Sequence, residues 1–330
     1  MNAPNTRFQT LATLCKGSGD PLRLEILRAL KTDSFGVLEL CDIFDVKQSG
    51  MSHHLKVLAN AGSVTTRREG NSIFYRRPLI DQSRPEGHLL AALFTCIDQI
   101  PINSDTFHRI AEVKSQRADS AKAFFNKHAG DFQAQQELIA HYDQYAESAK
   151  ELLLKDIDTQ HQTLLEIGPG EGAFLADIAP YFCKVVALDI SEEMLEKAKT
   201  RCIESARHNI DFVLGNTYQA VQQGQHFNHI VCNMVLHHVP SPADVFLDSA
   251  QLMQADGSLV VTDLCRHDQS WVKDNCGDLW LGFEPDEISE WAQAANLTET
   301  DSLYLGLRNG FQIQVRKFTH LTSTPSISTP

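Results

Sequence analysis

The chain has 330 residues, of which 42% are hydrophobic and 22% are charged, and this composition is typical of a globular protein with room for two domains. The sequence contains no run of 18 or more apolar residues that could span a membrane, and we expect no secretory signal segment at the start. The eight cysteines are scattered without a C-x-x-C pair, so we expect reduced thiols in a cytoplasmic protein. These features exclude a membrane channel and a disulfide-rich secreted protein.

The formal net charge of −13 is distributed unevenly along the chain. Residues 1–100 contain 12 basic and 10 acidic residues, whereas the remainder contains 17 basic and 32 acidic ones. A slightly basic beginning on an acidic chain predicts a nucleic-acid-binding module joined to a small-molecule module.

The first 100 residues predict short helices followed by one hairpin. Asp20 is placed to cap the second helix, with Pro21 at its first position, and Ser34 is placed to cap the third. The predicted helices are 8–16, 21–31, 37–44 and 47–60, and the predicted strands, 63–68 and 72–77, flank a turn at 69–71. This order of elements predicts a mainly-α winged helix-turn-helix domain.

Hydrogen-bonding side chains line one face of helix 47–60, and arginines follow on the hairpin. Short polar groups could read base edges in the major groove, while arginines suit phosphates or the minor groove. The alternative is a solvated helix face beside an ordinary charged hairpin. The candidate DNA-binding residues are Gln48, Ser49, Ser52, His53, Lys56, Arg67, Arg68 and Arg76, with Arg77 at the end of the hairpin.

Three stretches of this region resemble the ArsR/SmtB family of bacterial winged-helix repressors. They are Gly19–Leu27, Gln48–Gly62 and Arg67–Tyr75, which are similar to the second helix, the recognition helix and the wing of that family. The resemblance implies binding to a double-stranded DNA operator as a homodimer, with helix 86–99 facing the partner. Metal-sensing members carry two cysteines on the helix before the recognition helix. Here only Cys41 is present, beside Asp42, so we expect no soft-metal sensing there.

A break at 101–105 begins a segment predicted to bridge two domains. It contains two long helices, 106–127 and 132–155, the first ending at Gly130. Tyr142 and Tyr145 either cover a ligand site or pack as core aromatics. The predicted divisions of the chain are 1–100, 101–158, 159–320 and a disordered tail at 321–330.

The stretch from Thr163 to Gly172 predicts a strand that enters a tight glycine turn and then a helix. Strands and helices alternate after it, so we expect an α/β doubly wound, Rossmann-like parallel sheet with the ligand at the strand ends. The predicted strands are 163–167, 184–188, 210–214, 227–233 and 257–263, with two more near Leu303 and Phe311, and the predicted helices are 173–178, 191–206, 241–253 and 285–295.

The residues around this turn favour an adenosyl ligand without phosphates. Glu166 lies two positions before Gly168, and Asp189 ends the next strand about 20 residues later, where a carboxylate can accept from both ribose hydroxyls. No lysine lies between Leu164 and Leu175, whereas a phosphate-binding loop places Lys-Ser/Thr after its last glycine. A dinucleotide such as NAD is the nearest alternative ligand.

Residues 160–320 resemble class I S-adenosylmethionine-dependent methyltransferases. The resemblance rests on Glu166-x-Gly168-x-Gly170-x-Gly172, on Asp189 and on the stretch from Asn233 to Val239. It implies that Gly168 and Gly170 line the methionine part of S-adenosylmethionine or S-adenosylhomocysteine. It also implies that Asp189 holds the ribose, with Ile190 against the adenine. Asn216 stands where many members have an acid, and its amide oxygen could accept from the adenine amino group.

No catalytic base can be assigned from the sequence. His237 and His238 suggest an acid/base or metal pair, but adjacent residues are expected to point in different directions, so we expect no metal site. The resemblance implies instead that both histidines line the ligand pocket. The stretch 263–283 could cover the pocket as a lid. Cys265 and Cys276 could serve as thiol ligands for arsenite, as cysteines do in arsenic-methylating enzymes, although their spacing does not identify that family.

Two functions therefore remain open. One is a transcription regulator whose methyltransferase-like domain senses S-adenosylmethionine or S-adenosylhomocysteine; the other is an active methyltransferase with a DNA-binding head. The fusion resembles the S-adenosylhomocysteine-responsive repressors of methionine-cycle genes, the SahR group, which favours the regulator. Ligand binding would then shift the population between two arrangements of the recognition helices.

Overall fold

The computed structural model describes residues 3–69, 72–78, 80–128, 132–155, 157 and 161–321. The chain divides into two compact units, Met1–Arg117 and Ala118–Pro330, each of which is described by itself. The segment 101–158, predicted to bridge two domains, is shared between them. The predicted turn residues Gly70 and Asn71, the helix stop at Gly130 and the tail beyond Leu321 lie outside the described residues.

The first unit consists of helices followed by a small antiparallel sheet, in the order that the sequence predicts. Its three strands pair in the order β1-β3-β2. The bounds are α1 Ala3–Ser18, α2 Pro21–Ala29, β1 Phe35–Gly36, α3 Val37–Phe44, α4 Gln48–Asn60, β2 Thr65–Glu69, β3 Ser72–Arg76 and α5 Pro85–Asp98, and α6, Ser104–His128, begins here and ends in the second unit.

Two caps define the helix starts around the helix-turn-helix. The Oδ1 atom of Asp20 accepts from the Arg23 N–H at 3.1 Å, which confirms the predicted cap of α2. The predicted cap of α3 by Ser34 is wrong. Phe35 and Gly36 pair with β3, so α3 begins after Gly36, whose N–H donates to Glu39 Oε2 at 2.7 Å.

The core of the first unit is formed by one apolar face from each of the helices α2, α3 and α4. Their spacing of three and four residues places these side chains together on the inner side. The fully buried members include Ile26, Leu27, Leu40, Ile43, Met51, Leu55 and Leu58. Burying the inner face leaves the opposite face of α4 for solvent or a partner.

The second unit is a seven-stranded sheet covered by helices. Its strand order is β6-β5-β4-β7-β8-β10-β9, with β4 to β8 parallel to their neighbours and β10 antiparallel to both β8 and β9. The bounds are α7 Phe132–Glu137, α8 Ala146–Leu154, β4 Thr163–Ile167, α9 Ala173–Ile178, β5 Lys184–Asp189, α10 Glu192–Glu204, β6 Ile210–Leu214, α11 Thr217–Gln222, β7 Phe227–Asn233, α12 Pro242–Leu252, β8 Met253–Leu264, α13 Trp271–Cys276, α14 Pro285–Ala294, β9 Leu297–Gly306 and β10 Gln312–His320.

The single helix predicted over 132–155 is wrong. Helix α7 ends at Glu137, a 3₁₀ turn spans Tyr142–Gln144, and α8 begins at Ala146. Asn309 stabilises the break, because its Nδ2 donates to the carbonyl oxygens of Leu138 and Ile139, just after α7, at 3.0 and 2.8 Å. A helix through this point would need those carbonyls for its own N–H groups.

The chain reverses its strand order at β4, which lies between β5 and β7. Ligands of such sheets bind outside the carboxyl ends of the strands, at this switch point. The residues that end these three strands are Ile167, Asp189 and Asn233. The fold therefore brings three separate parts of the sequence to one edge. Within the described residues, no helix is long and apolar enough to cross a membrane.

We expect that replacing Gly172 by alanine lowers the free energy of unfolding by about 2–4 kcal/mol. Gly172 has a φ of 78°, and a Cβ there would lie 2.8 Å from the Cα of Ala198 on α10. Gly224→Ala is the matched control, since Gly224 has a φ of 67° with nothing within 4 Å of its would-be Cβ. The control should lose only about 1–2 kcal/mol in urea unfolding. Equal losses in both variants would contradict the close approach at Gly172.

Candidate functional site

The three glycines after β4 have different roles, although each has a positive φ. A Cβ on Gly168 would meet the Val235 Cγ2 atom at 2.5 Å, and one on Gly172 would meet Ala198, so both glycines allow close packing within the protein. A Cβ on Gly170 would have nothing within 4 Å. Gly170 is therefore the position where the backbone faces open space, as a closely bound ligand requires.

Asp189 ends β5 beside the glycine turn. Its Oδ1 atom accepts from the Ser191 N–H at 2.9 Å. Burial raises the pKa of Asp189 to about 6, and hydrogen bonds from the backbone N–H groups of Ser191, Ile190 and Gly170 oppose that rise. The carboxylate is thus ionised at neutral pH and tied to Gly170. Ile190, half-buried, follows directly.

Asn233 ends β7 and is 8% exposed, yet neither its amide nitrogen nor its amide oxygen has a hydrogen-bond partner. Leaving such a group unpaired costs about 1–3 kcal/mol. The next residue, Met234, has a left-handed φ of 55°. Strained backbone beside an unpaired buried amide is typical of a binding site.

Glu166 is 2% exposed on β4, and its Oε2 atom has no hydrogen-bond partner. Burial raises the pKa of this carboxyl to about 8, so it is mainly protonated at neutral pH. A cationic group placed beside it would favour the ionised form. Glu166 is therefore a second unsatisfied polar group at this edge of the sheet.

Asn216 has a local role that the sequence did not reveal. Its Oδ1 accepts from the Gln219 N–H, and the Asn216 N–H donates to Gln219 Oε1, both at 3.0 Å. This capping box starts α11, a helix that was not predicted. The amide oxygen expected to face adenine is thus already engaged by the helix.

His237 and His238 lie in a 3₁₀ turn and their rings approach to 4.0 Å between centroids. The expectation that adjacent residues point apart is therefore wrong. Burial lowers the pKa of His237, but the charges of Asp263 and Asp278, with the Asp263 hydrogen bond at 2.8 Å, raise it to about 9. Burial and the neighbouring His237 charge depress the pKa of His238.

The outer face of α4 carries the five candidate base-reading side chains, and all of them are exposed. They are Gln48, Ser49, Ser52, His53 and Lys56. They extend over two turns of the helix while Met51, Leu55 and Leu58 are buried behind them. The helix therefore presents a continuous polar surface on a rigid support.

The arginines of the hairpin divide into different groups. Arg68 is exposed and Arg76 is half-buried. Arg67 is 8% exposed and pairs with the buried Glu69, which leaves it little surface for the predicted contact with phosphate. Arg77 bonds to Asp98 at 2.7 Å and to the Leu27 carbonyl at 2.8 Å, which fixes the hairpin to the helices.

Comparison with known proteins identifies both parts of the chain. Residues 136–301, half of its length, match the family described as "Methyltransferase domain". The chain belongs to the methyltransferase domain family. Residues 20–66 match "Bacterial regulatory protein, arsR family", so an ArsR-type helix-turn-helix precedes the methyltransferase domain.

This chain has low sequence identity to its individual relatives. It is 27% identical over 167 residues to the ubiquinone biosynthesis O-methyltransferase of Salmonella paratyphi A, covering 46% of this chain and 69% of that protein. The Yersinia enterocolitica enzyme of the same name is 29% identical over 110 residues, covering 33% and 45%. A solved structure, the magnesium protoporphyrin IX methyltransferase of Synechocystis with bound SAH, has a TM-score of 0.49 at 14% identity, covering 61% of this chain and 98% of that one.

Two tyrosines of the methyltransferase domain pack against its core. Tyr142 and Tyr145 form a T-shaped pair with centroids 5.9 Å apart, and the Tyr142 hydroxyl donates to Asp177 Oδ2 at 2.6 Å. Burial, with a smaller contribution from the charge of Glu166, raises the pKa of the Tyr145 hydroxyl. Both half-buried rings therefore pack against the core, which favours the packing interpretation of the two tyrosines.

The two cysteines considered as arsenite ligands in the methyltransferase domain are both buried. Burial raises the pKa of Cys265 to about 11 and that of Cys276 to about 12. Thiols with such pKa values are not ionised at neutral pH, and the thiolate is the form that binds soft ions. Their environment argues against an arsenite site.

Proposed function

We propose that this chain is a DNA-binding transcription regulator whose methyltransferase domain binds S-adenosylhomocysteine or S-adenosylmethionine as an effector, controlling methionine-cycle genes. The observation that carries the proposal is the combination of an exposed polar face on α4 with unpaired polar groups at the strand ends of the second unit. The regulator would act as a homodimer on a double-stranded operator with half-sites about one DNA turn apart.

The residues at the strand ends fit an adenosyl ligand. The ionised carboxylate of Asp189 can accept from both ribose hydroxyls, and the open backbone at Gly170 allows close approach. The unpaired amide of Asn233 and the unpaired oxygen of Glu166 would be satisfied by the polar groups of the amino acid part. The ligand carries no phosphate, which agrees with the absence of lysine from Leu164 to Leu175.

Helix α6 provides a connection between effector and DNA, because it begins in the first unit and ends in the second. In the first unit Arg117 bonds to both carboxylate oxygens of Glu39 on α3, at 2.7 and 2.6 Å. In the second unit Phe124 lies against Gly277, where a Cβ would approach its ring to 2.4 Å in this structure. An effector would change DNA affinity through α6 only if it binds the protein more tightly with this helix in one position than in another.

We expect Arg117→Gln to reduce the effect of ligand on DNA affinity to less than about twofold, because the bidentate pair that joins α6 to α3 is lost. The affinity for the ligand itself should change little. Gel shifts with and without S-adenosylhomocysteine measure the coupling, and Lys122→Gln, which removes an exposed charge from the same helix, is the matched control. Undiminished coupling in Arg117→Gln, with the control unchanged, would rule out this route.

We expect S-adenosylhomocysteine to bind about tenfold more weakly at pH 5 than at pH 7. The pKa of Asp189 is raised to about 6, so the carboxylate that accepts the ribose hydroxyls loses its charge as the pH falls through that value. Binding should therefore be strong above pH 7 and decline below pH 6. The Asp189→Asn variant should show a flat profile over the same range. An identical decline in that variant would assign the pH dependence to another group.

An active methyltransferase with a DNA-binding head is the second candidate, and its support is that the curated relatives are named as O-methyltransferases. The two functions predict different results. A regulator requires that ligand alone changes DNA affinity, whereas an enzyme requires transfer of a labelled methyl group to an acceptor. Titration with each adenosyl ligand followed by a gel shift on the chain's own upstream DNA tests the regulator directly.

A further inference from the structure

Three buried side chains of the second unit bring possible metal ligands together. One ligand atom each from His237, His238 and Asp278 lies within 4.8 Å of the others. Their exposures are 0%, 6% and 3%, so solvent does not compete for this position. The hydrogen-bonding roles described above for the adenosyl site belong to other residues, and lining of the ligand pocket is the role that the sequence predicts for the two histidines.

Asp263 orients the ring of His237 through a hydrogen bond. Its Oδ1 atom lies 2.8 Å from Nδ1 of His237, and both residues are fully buried. A neutral histidine that donates its Nδ1–H to a carboxylate presents the lone pair of Nε2, which is the usual arrangement of a metal-bound imidazole. Because the pKa of His237 is raised to about 9, a bound ion must displace the Nε2 proton at neutral pH. The Nε2 atom of His237 is buried and has no hydrogen-bond partner. This unpaired atom is independent evidence that something binds there.

The second histidine has a comparable arrangement. Nδ1 of His238 lies 3.7 Å from Asp278 Oδ1 and 3.3 Å from the Gly277 carbonyl, to which its N–H can donate, and its other ring nitrogen lies 3.1 Å from the amide of Gln136. Because a glutamine amide can donate or accept according to its rotation, Gln136 can support the ring when Nδ1 binds an ion. For His238 to bind an ion through Nδ1, that atom must give up its proton and its contact with the Gly277 carbonyl, while Nε2–H donates to the Gln136 amide oxygen.

We propose that His237, His238 and Asp278 bind a divalent transition-metal ion, with zinc preferred. Two imidazoles and one carboxylate form a common three-ligand zinc set that leaves a further position for water or another ligand. Zinc–ligand bonds of about 2.0–2.2 Å require the ligand atoms to approach to roughly 3.5 Å, so binding would draw the three groups closer by about 1 Å.

The backbone already holds the two segments of this zinc site together. The N–H groups of Leu279 and Trp280 donate to the His237 carbonyl at 2.9 and 3.1 Å. The site lies four residues after Asn233, and Gly277 at its edge contacts Phe124 of α6. A bound ion would therefore join the end of β7 to the loop on which α6 packs. The proposal concerns this cluster alone and stands whether or not the chain is a regulator.

The test uses the full-length protein, treated with a chelator and then titrated with zinc chloride by calorimetry, with the bound metal measured by mass spectrometry. We expect one zinc ion per chain at the site, and loss of that ion in His237→Gln and Asp278→Asn. His226→Gln, which changes an exposed histidine elsewhere in the unit, is the matched control and should retain it. Retention of the ion by both site variants would overturn the proposal, as would failure of the unaltered protein to bind zinc.

A second measurement does not depend on variants that fold poorly. Cobalt(II) bound to the unaltered protein should give the visible bands of a site with nitrogen and oxygen ligands. Intense near-ultraviolet charge transfer from thiolate to cobalt would instead assign the metal to cysteines, such as the buried Cys276, and would contradict the proposed ligands.

Discussion

Replacing Asp189 by alanine is expected to weaken the binding of S-adenosylhomocysteine by about 100-fold or more. Hydrogen bonds to a charged group contribute about 1.5–3 kcal/mol each, and the carboxylate would accept two from the ribose. The Asp189 carboxylate also accepts from the Gly170 N–H, so the substitution frees the backbone of the open turn as well. Isothermal titration calorimetry at pH 7.5 measures the loss.

Asp211→Ala is the matched control for this experiment. Asp211 lies on the neighbouring strand β6, where it is exposed and pairs with Lys184 at 2.7 Å, away from the carboxyl ends of the strands. Its affinity for the ligand should remain within about twofold of the original, since an exposed ion pair contributes at most about 1 kcal/mol to stability. Equal binding by Asp189→Ala and Asp211→Ala would show that the ligand does not use the end of β5.

Replacing Ser52 by glutamate is expected to abolish specific DNA binding, with a loss of about 100-fold or more. Ser52 lies in the middle of the exposed face of α4, between Ser49 and Lys56. A carboxylate there would be repelled by phosphates and would enter the groove without a partner, and juxtaposed like charges oppose association by several kcal/mol. The measurement is a gel shift at fixed salt on the chain's own upstream DNA.

Gln251→Glu, which makes the same change of charge at an exposed position of α12, is the matched control for the DNA experiment. It should leave DNA affinity within about twofold, and Ser52→Glu should keep its ligand affinity because the second unit is unaltered. Undiminished DNA binding by Ser52→Glu would mean that α4 is not the helix that reads the operator.

Much of the fold could be predicted because strong local signals agree with the tertiary structure. Asp20 and Pro21 mark the start of α2, and alternating apolar strands and amphipathic helices define the Rossmann-like unit. The antiparallel placement of β10 between β8 and β9 was not predicted, because pairing direction at the end of a sheet depends on contacts between distant residues.

The predicted site was less complete, because its details depend on tertiary contacts that local sequence patterns do not show. Glycines spaced by two look equivalent in sequence, but the surroundings of Gly168 and Gly172 are filled whereas those of Gly170 are open. The sequence predicts an exposed arginine at position 67, but Arg67 pairs with Glu69 and both side chains are buried. The His237–Asp263 contact joins residues 26 positions apart, which no local pattern reveals.

The same limits explain the misplaced helices. Asn309 stabilises the break after α7 from a position 170 residues away, by donating to the carbonyl of Ile139. The capping box of Asn216 and Gln219, in contrast, is a local signal that could have been recognised in the sequence. Had it been, α11 would have been predicted, and the Asn216 oxygen would have been assigned to the helix.

The measurement that tests the central proposal most directly is a pair of experiments on the same purified protein. Calorimetric titration with S-adenosylhomocysteine and with S-adenosylmethionine is followed by a gel shift on the upstream DNA with each ligand present. We predict binding of at least one ligand and a change in DNA affinity of about fivefold or more, the range of typical allosteric coupling. Binding of both ligands without any effect on DNA affinity would contradict the regulator and direct the search to a methyl acceptor.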